Sequence, residues 1–184
     1  ATPSAQASEW KADAAHTTIN FSVNHFFTPV TGTFGDFDIE LDYDEADPTK
    51  SSVKAKIAIA SIDTGNEDRD NHLRTADFFA AEEHPYLTFE STSVEKVAEG
   101  QLVATGNLTI KGISKEIELP ISILGVQEIP AEMQEMFGTE RVASFRAETA
   151  IDRGDYEVGT GNFAATLVVG GEVGIEILVE AHEK

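Results

Sequence analysis

Apolar residues recur at every second position along much of the chain. Between Ser52 and Ala60, Val53, Ala55, Ile57 and Ile59 alternate with Lys54 and Lys56, the pattern of a strand with one dry and one wet face. The same parity carries Ile19, Phe21 and Val23, then Phe37, Ile39 and Leu41 against Asp38, Glu40 and Asp42, then Leu87 and Phe89 against Thr88 and Glu90. Farther on it carries Leu102, Ala104, Leu108 and Ile110 with Gly106 inside the run, and Ile117, Leu119, Ile121 and Ile123. Phe145, Ala147 and Ile151 follow, and then Val173, Ile175, Ile177 and Val179 against Glu172, Glu176 and Glu180. The pattern predicts about eight half-buried antiparallel strands, most joined by short connections. Gly35, where the parity changes between Phe34 and Phe37, is expected to bend a long strand.

Two stretches break the alternation. Residues 66–79 are rich in charge and helix formers and predict a short helix or two, and Pro130 ahead of Met133, Met136 and Phe137 predicts another. Strands with one apolar face throughout must bury it in a sandwich or a closed barrel, and the barrel is the preferred reading. The expected fold is therefore all-β, an eight-stranded antiparallel barrel with one or two short helices in its connections. Its interior is just wide enough to be filled by side chains or to hold one small ligand. The loop around Gly159-Thr160-Gly161-Asn162 is too short to separate domains, so residues 1–184 read as one domain, with residues 1–8 flexible.

Composition narrows the functions. A chain of 184 residues buries an adequate core without staples, and the lack of cysteine excludes disulfides, thiolate metal sites and a cysteine nucleophile. It leaves the redox compartment open. With 33 acidic against 13 basic side chains the net charge is −20, which opposes nucleic acid or an anionic membrane surface as the main partner. No apolar run approaches the ~18 residues of a membrane helix, so stable membrane insertion is not expected. The start, Ala-Thr-Pro-Ser-Ala-Gln-Ala-Ser, suits the mature end of an exported protein and equally any frayed terminus. Eleven Phe against three Tyr and one Trp suit a dry interior, packed or hollow.

Candidate chemistry is sparse. The five histidines are scattered, with no pair at metal-ligand spacing, and no metal site is expected. His25 continues the face of Phe21 and Val23, either as a hydrogen-bonded core residue or as a contact to a ligand head group at the barrel mouth. Residues 61–66 followed by Arg69, Asp70, His72 and Arg74 gather acid, base and imidazole, from which Thr64, His72 and Asp70 make an imaginable triad. The spacing matches no nucleophile elbow. The favoured reading is a clamp closing one barrel end, with Asp63 capping a turn and Arg69 and Arg74 paired with Asp70 and Asp77. Phosphate-loop motifs are absent, and Gly170-Gly171 with Gly174 reads as backbone relief against a bulky neighbour.

Several of these residues fall into one ordered pattern. Trp10 and Ala15-His16 lead into Ile19-x-Phe21-x-Val23-x-His25, then Val30-Thr-Gly32-x-Phe34-x-x-Phe37 and Ser61-Ile-Asp63-Thr-Gly65. Arg69-Asp70-x-His72-Leu73-Arg74-x-x-Asp77-Phe78-Phe79 follows, then His84-Pro85-Tyr86-x-Thr88-Phe89-x-Ser91 and Gly106-Asn-Leu108-Thr-Ile110-Lys-Gly112. Together they resemble the YceI-like family of polyisoprenoid-binding, lipocalin-like proteins, over nearly the whole chain and most specifically over residues 61–91. Glu157-Val-Gly159 after Tyr156, and Ala80-Ala81 after Phe79, depart from the family pattern.

The resemblance implies a barrel whose apolar channel holds a long isoprenoid or quinone-like tail. It also implies export to the periplasm with the signal peptide already removed, frequently as a homodimer. Parity and resemblance together place Phe21, Val23, Phe37, Ile39, Ile57, Ile59, Phe89, Leu108, Ile121 and Phe145 on the channel wall, and Phe78 and Phe79 near an entrance. Head-group contacts are expected among His25, Arg69, Arg74 and Arg153. The leading expectation is an exported carrier, not an enzyme, with no cofactor beyond a bound polyisoprenoid or prenyl quinone. The alternatives are a hydrolase or isomerase acting on a lipid through Asp63, Asp70 and His72, and a non-catalytic stress or assembly protein with a packed interior.

Overall fold

The computed structural model describes residues 7–184, and its strands form one antiparallel sheet that closes on itself. Three of the eight staves are broken into two pieces each. β1 (Ser8–Ala12) and β2 (Thr18–His25) run in line along β11 (Val169–Glu183), with Ala12 opposite Ala181 and Thr18 opposite Leu178. β3 (Thr28–Phe34) pairs with β2 while β4 (Phe37–Tyr43) pairs with β1. β5 (Ser52–Ala58) pairs with β4, and the two-residue β6 (Ile62–Asp63) pairs with β3. The remaining staves are single: β7 (Tyr86–Ala98), β8 (Gln101–Ile110), β9 (Ile113–Glu128) and β10 (Arg141–Asp152). Neighbours in the ring are neighbours in the chain, and β11 completes it by pairing with β10 on one side and β1 and β2 on the other.

The expected barrel is thus present, and the break between β3 and β4 falls at Gly35 and Asp36, where the bend was expected. There the Asp36 carbonyl leaves its own stave to accept from the Ala58 N–H at 2.9 Å. Alternation missed β1 and β3 because they are largely polar and owe their extended form to neighbours. Of the leader expected to be flexible, Ser8 already pairs with Tyr43 in β1, and residues 1–6 lie outside the described residues. Helix α1 (Glu67–Leu73) opens on Asn66, whose side chain accepts from the Arg69 N–H, and helix α2 (Ala131–Phe137) starts after Pro130 and stops at Gly138 in the left-handed region. α1 and its following turns fill the seam between β6 and β7, while α2 connects β9 to β10 at the opposite end.

That opposite end is closed by aromatic packing. Trp10 is 2% exposed, lies 5.9 Å from the Tyr43 ring and donates its indole N–H to the Tyr43 carbonyl at 3.3 Å. Tyr43 in turn meets Phe145 edge-on at 5.2 Å. Replacing Trp10 by Ala removes the largest part of this plug, and a loss of about 4 kcal/mol is expected in denaturant unfolding.

The junction between β1 and β2 carries a polar cluster. Asp13 accepts from the Ala15 N–H at 3.0 Å and lies 2.6 Å from His16 Nδ1, while Glu180 lies 3.8 Å from the same ring nitrogen. The Asp13 hydrogen bond raises His16 above its ordinary 6.5, and the same bond lowers Asp13 below its ordinary 3.8. The raised imidazole contributes stability that is fully present below pH 6.5 and is lost as pH rises through its folded value. The lowered carboxylate contributes stability that is present above pH 3.8 and is lost as pH falls through its folded value. The gap in Tm between wild type and His16→Asn should therefore be widest near about pH 5 and shrink toward about pH 9. A gap that does not vary with pH would show that the pair gains nothing from its charge.

Candidate functional site

Side chains on the apolar face of every stave do not meet at the barrel axis. They enclose a cavity of about 410 Å³ with almost entirely apolar walls, within the range of small-molecule sites. β11 shows its extent, since Val169, Val173, Ile175, Ile177 and Val179 all line it. At ~3.3 Å per residue and a strand tilt of ~40°, that run spans roughly 25 Å along the barrel axis. The cavity reaches Tyr43, Ser51 and Ser52 at the plugged end. At the other end it is lined by Asn24, His25 and Val169, all exposed, so it meets the surface there.

Glycines opposite aromatics help keep it wide. A Cβ on Gly32 would come within 2.8 Å of Phe21 Cε1, and one on Gly106 within 2.7 Å of Phe89 Cζ. Each ring therefore lies back against bare backbone instead of projecting across the lumen. A register shift between Ser91 and Ser93 switches the inward parity of β7, so that Val94 joins Leu87 and Phe89 on the cavity wall.

Polar groups gather at the exposed end. Arg153 is 6% exposed and acts as the hub of the loop between β10 and β11. Its Nε donates to the Gly170 carbonyl at 2.9 Å, and Nη1 donates to the carbonyls of Val158, Gly159 and Phe163 at 2.8, 3.1 and 2.8 Å. Burial pulls its pKa down and pushes that of Tyr156 up. Both residues border the cavity, and both carry a buried group without a protein partner, Arg153 Nη2 and the Tyr156 hydroxyl. A buried unpaired donor costs about 1–3 kcal/mol, so this end has hydrogen-bonding capacity that an acceptor on a ligand would satisfy.

Thirteen of the residues expected at the site line the cavity: Phe21, Val23, His25, Ile39, Ile57, Arg69, Phe78, Phe79, Phe89, Leu108, Ile121, Phe145 and Arg153. His25 is exposed at the mouth, not a buried core histidine. Three do not line it. Ile59 sits past the end of β5 in a helical turn, where alternation no longer applies, and is buried in the core. Phe37, the first residue of β4 just after the bend, lies opposite Ile57 and packs against the core without bordering the cavity. Arg74 is held away by the carbonyls of Ala60 at 3.1 Å and Ile62 at 3.0 Å.

The clamp over residues 60–77 exists, but with other partners than expected. Arg69 donates to the Thr64 hydroxyl at 2.7 Å and carbonyl at 2.8 Å, and buried Asp70 accepts from the Thr64 N–H at 3.0 Å and hydroxyl at 2.5 Å. His72 pairs with Asp77 at 2.8 Å, and Asp63 caps the turn by accepting from the Gly65 N–H at 2.8 Å. The Thr64 hydroxyl thus donates its hydrogen bond to Asp70 while His72 is engaged with Asp77, which is not the order of a nucleophilic triad. The relief expected at Gly174 is against Ser22, a small neighbour, since a Cβ there would lie 2.9 Å from Ser22 Oγ.

Tyr156 was not among the expected site residues. It shares a 3₁₀ turn with Arg153, in which side chains three apart eclipse, so the Arg-x-x-Tyr spacing is the signal that points to it. Outside the lumen, Asp13, Glu180 and His182 bring polar atoms within 4.8 Å of one another, a grouping hidden by their distance in sequence.

A YceI-like domain model matches residues 10–181. The chain belongs to the YceI-like family. Protein YceI of Salmonella arizonae is 37% identical over 162 residues, covering 86% of this chain and 81% of that one. BcnA of Burkholderia cenocepacia shares the fold at a TM-score of 0.81 and 25% identity, over 92% of this chain and 98% of the other. The YceI protein of Campylobacter jejuni gives a TM-score of 0.76 at 34% identity, over 85% and 86%. A polyisoprenoid binding domain from Saccharophagus degradans, implicated in plant cell wall breakdown, gives 0.68 at 14% identity, over 95% and 98%, and at that identity shares the fold alone.

In this YceI-like barrel Arg153 organises four carbonyls at the mouth. Arg153→Met, which keeps much of the apolar stem, should lose about 3 kcal/mol of stability and speed hydrogen exchange across residues 158–170. Unchanged exchange there would remove the hub role.

Proposed function

We propose that this protein is an exported carrier that holds one long apolar lipid, a polyisoprenoid or prenyl quinone, in the barrel. The tail lies along the lumen and the polar end beside Arg153 and Tyr156. The observation that carries the reading is the elongated apolar cavity, which also stands against a fully packed interior. Membership of the YceI-like family and the polyisoprenoid binding of the Saccharophagus degradans domain support it. Each buried CH₂ contributes roughly 0.8 kcal/mol, so a tail of about twenty carbons gains ~16 kcal/mol against association costs of ~4–15 kcal/mol. No special catalytic residue is needed for that. Binding is accordingly preferred to turnover, and the pairing of Thr64 with Asp70 and of His72 with Asp77 favours the same choice.

Export to the periplasm and a homodimeric state belong to the same proposal. Cell fractionation of the source organism and sedimentation of the 19.9 kDa chain test them.

The ligand is tested by mass spectrometry of organic extracts of protein purified from its own host, with fluorescence titration of prenyl quinone and prenyl phosphate. Ala147 lines the lumen and is 7% exposed, so Ala147→Trp should weaken uptake by about tenfold or more by filling the space the tail needs. A clean extract together with no uptake by the wild type would overturn the carrier reading.

A further inference from the structure

The hairpin between β2 and β3 turns in two residues, Phe26 and Phe27, with His25 opposite Thr28. Such turns are filled without strain by Asn-Gly or Gly-x, because one or both central residues need positive φ. Here Phe26 adopts a φ of 52°, uncommon for a bulky side chain, and Phe27 is 95% exposed. Residues are held in sparsely populated backbone conformations mostly where function requires it. Neither the left-handed phenylalanine nor the aromatic ring in water is something the barrel itself needs.

The loop ahead of β11 stands beside this turn. The Phe26 N–H donates to the Val168 carbonyl at 2.6 Å, Val169 pairs with His25, and Leu167 is 93% exposed. The two loop tips therefore form one apolar rim, continuous with the lumen through His25 and Val169. Charge avoids it: of 33 acidic and 13 basic side chains, none falls in residues 18–35 or 158–171. The contrast is α2 at the other end, where exposed Met136 lies among Glu132, Glu135 and Glu140.

We propose that this rim docks the barrel mouth onto the surface of a lipid bilayer, seating Phe26, Phe27 and Leu167 among the headgroups. Two convex tips with a handful of apolar side chains suit a deformable lipid surface. They fall short of the ~20–30 residues a side that a stable protein interface uses. With a net charge of −20 and no basic residue in the two rim segments, insertion is apolar and not electrostatic, so it favours a neutral surface over an anionic one. The proposal rests on the lipid-carrier reading for its purpose, since an apolar ligand would pass between bilayer and lumen without crossing water.

The test is flotation of the full chain with phosphatidylcholine vesicles and with the same vesicles carrying phosphatidylglycerol. Wild type should float with phosphatidylcholine and less with phosphatidylglycerol present. The double variant Phe26→Gly, Phe27→Asn puts glycine at the one central position that has positive φ, so its Tm should equal or exceed that of wild type while its bound fraction falls by about tenfold. Met136→Ser should bind as wild type does. Docking is overturned if the double variant floats like wild type, or if binding requires phosphatidylglycerol. It is equally overturned if the wild type is a dimer that ignores vesicles and the double variant is a monomer, which would make the rim a protein interface. Uptake of a water-dispersed prenyl quinone, read in the same two proteins without vesicles, should be equal; its absence from both would sink the carrier reading while leaving the flotation result to stand by itself.

Discussion

Closure of the sheet between β11 and the paired pieces β1 and β2 is the constraint on which the rest depends. Once eight staves are joined in a ring, the radius follows from strand number and tilt, whatever side chains fill the inside. The ring also satisfies the backbone, so the inner face carries apolar side chains without stranded amides or carbonyls. Trp10, Tyr43 and Phe145 close one end by filling it. Along the remainder, residues such as Ile175 and Ala147 are too small to reach across, and Phe21 and Phe89 lie back over glycines. A wide ring with modest side chains encloses a lumen.

The other end is held by polar contacts instead of aromatic fill. Arg153 gathers carbonyls from Val158, Gly159, Phe163 and Gly170, while Lys111 reaches the carbonyls of Glu157 and Ala76 at 2.9 and 3.3 Å. Arg69 and Arg74 do the same for Thr64, Ala60 and Ile62. The loops at the mouth are thus fixed through cations on backbone oxygens, and the carboxylates stay mostly outside. Asp70 is the exception that proves useful to the fold, since Thr64 satisfies it with two bonds. This division leaves an apolar wall with a polar margin at one end, the arrangement that suits an amphipathic ligand.

The acid is sorted by the same geometry. Asp38, Glu40, Glu90, Glu116, Glu118 and Glu148 are exposed on staves whose opposite faces line the lumen or core. The charge therefore lies on the outer shell and leaves the lumen apolar, and the rim at the mouth carries none of it.

Alternation revealed the staves because each must carry one apolar face, and the ordered residues over 61–91 revealed the family before any coordinates. Most of the lumen wall followed from parity together with that resemblance. Parity could not carry past the end of β5 to Ile59, it could not tell that the cavity stops short of Phe37, and it could not foresee the shift at Ser91 that brings Val94 inward. It also could not choose partners for Arg69 and Arg74. Carbonyls outcompeted the neighbouring carboxylates, because loop closure brings backbone oxygens to the guanidinium groups in fixed positions. By itself, then, the chain's pattern determined antiparallel strands with an apolar inner and an acidic outer face, since period-two burial is a local property, and it favoured a barrel over a sandwich. That the inside is hollow, and that Phe26 and Leu167 stand together at its mouth, were decided only by ring closure, which brings together residues more than a hundred positions apart.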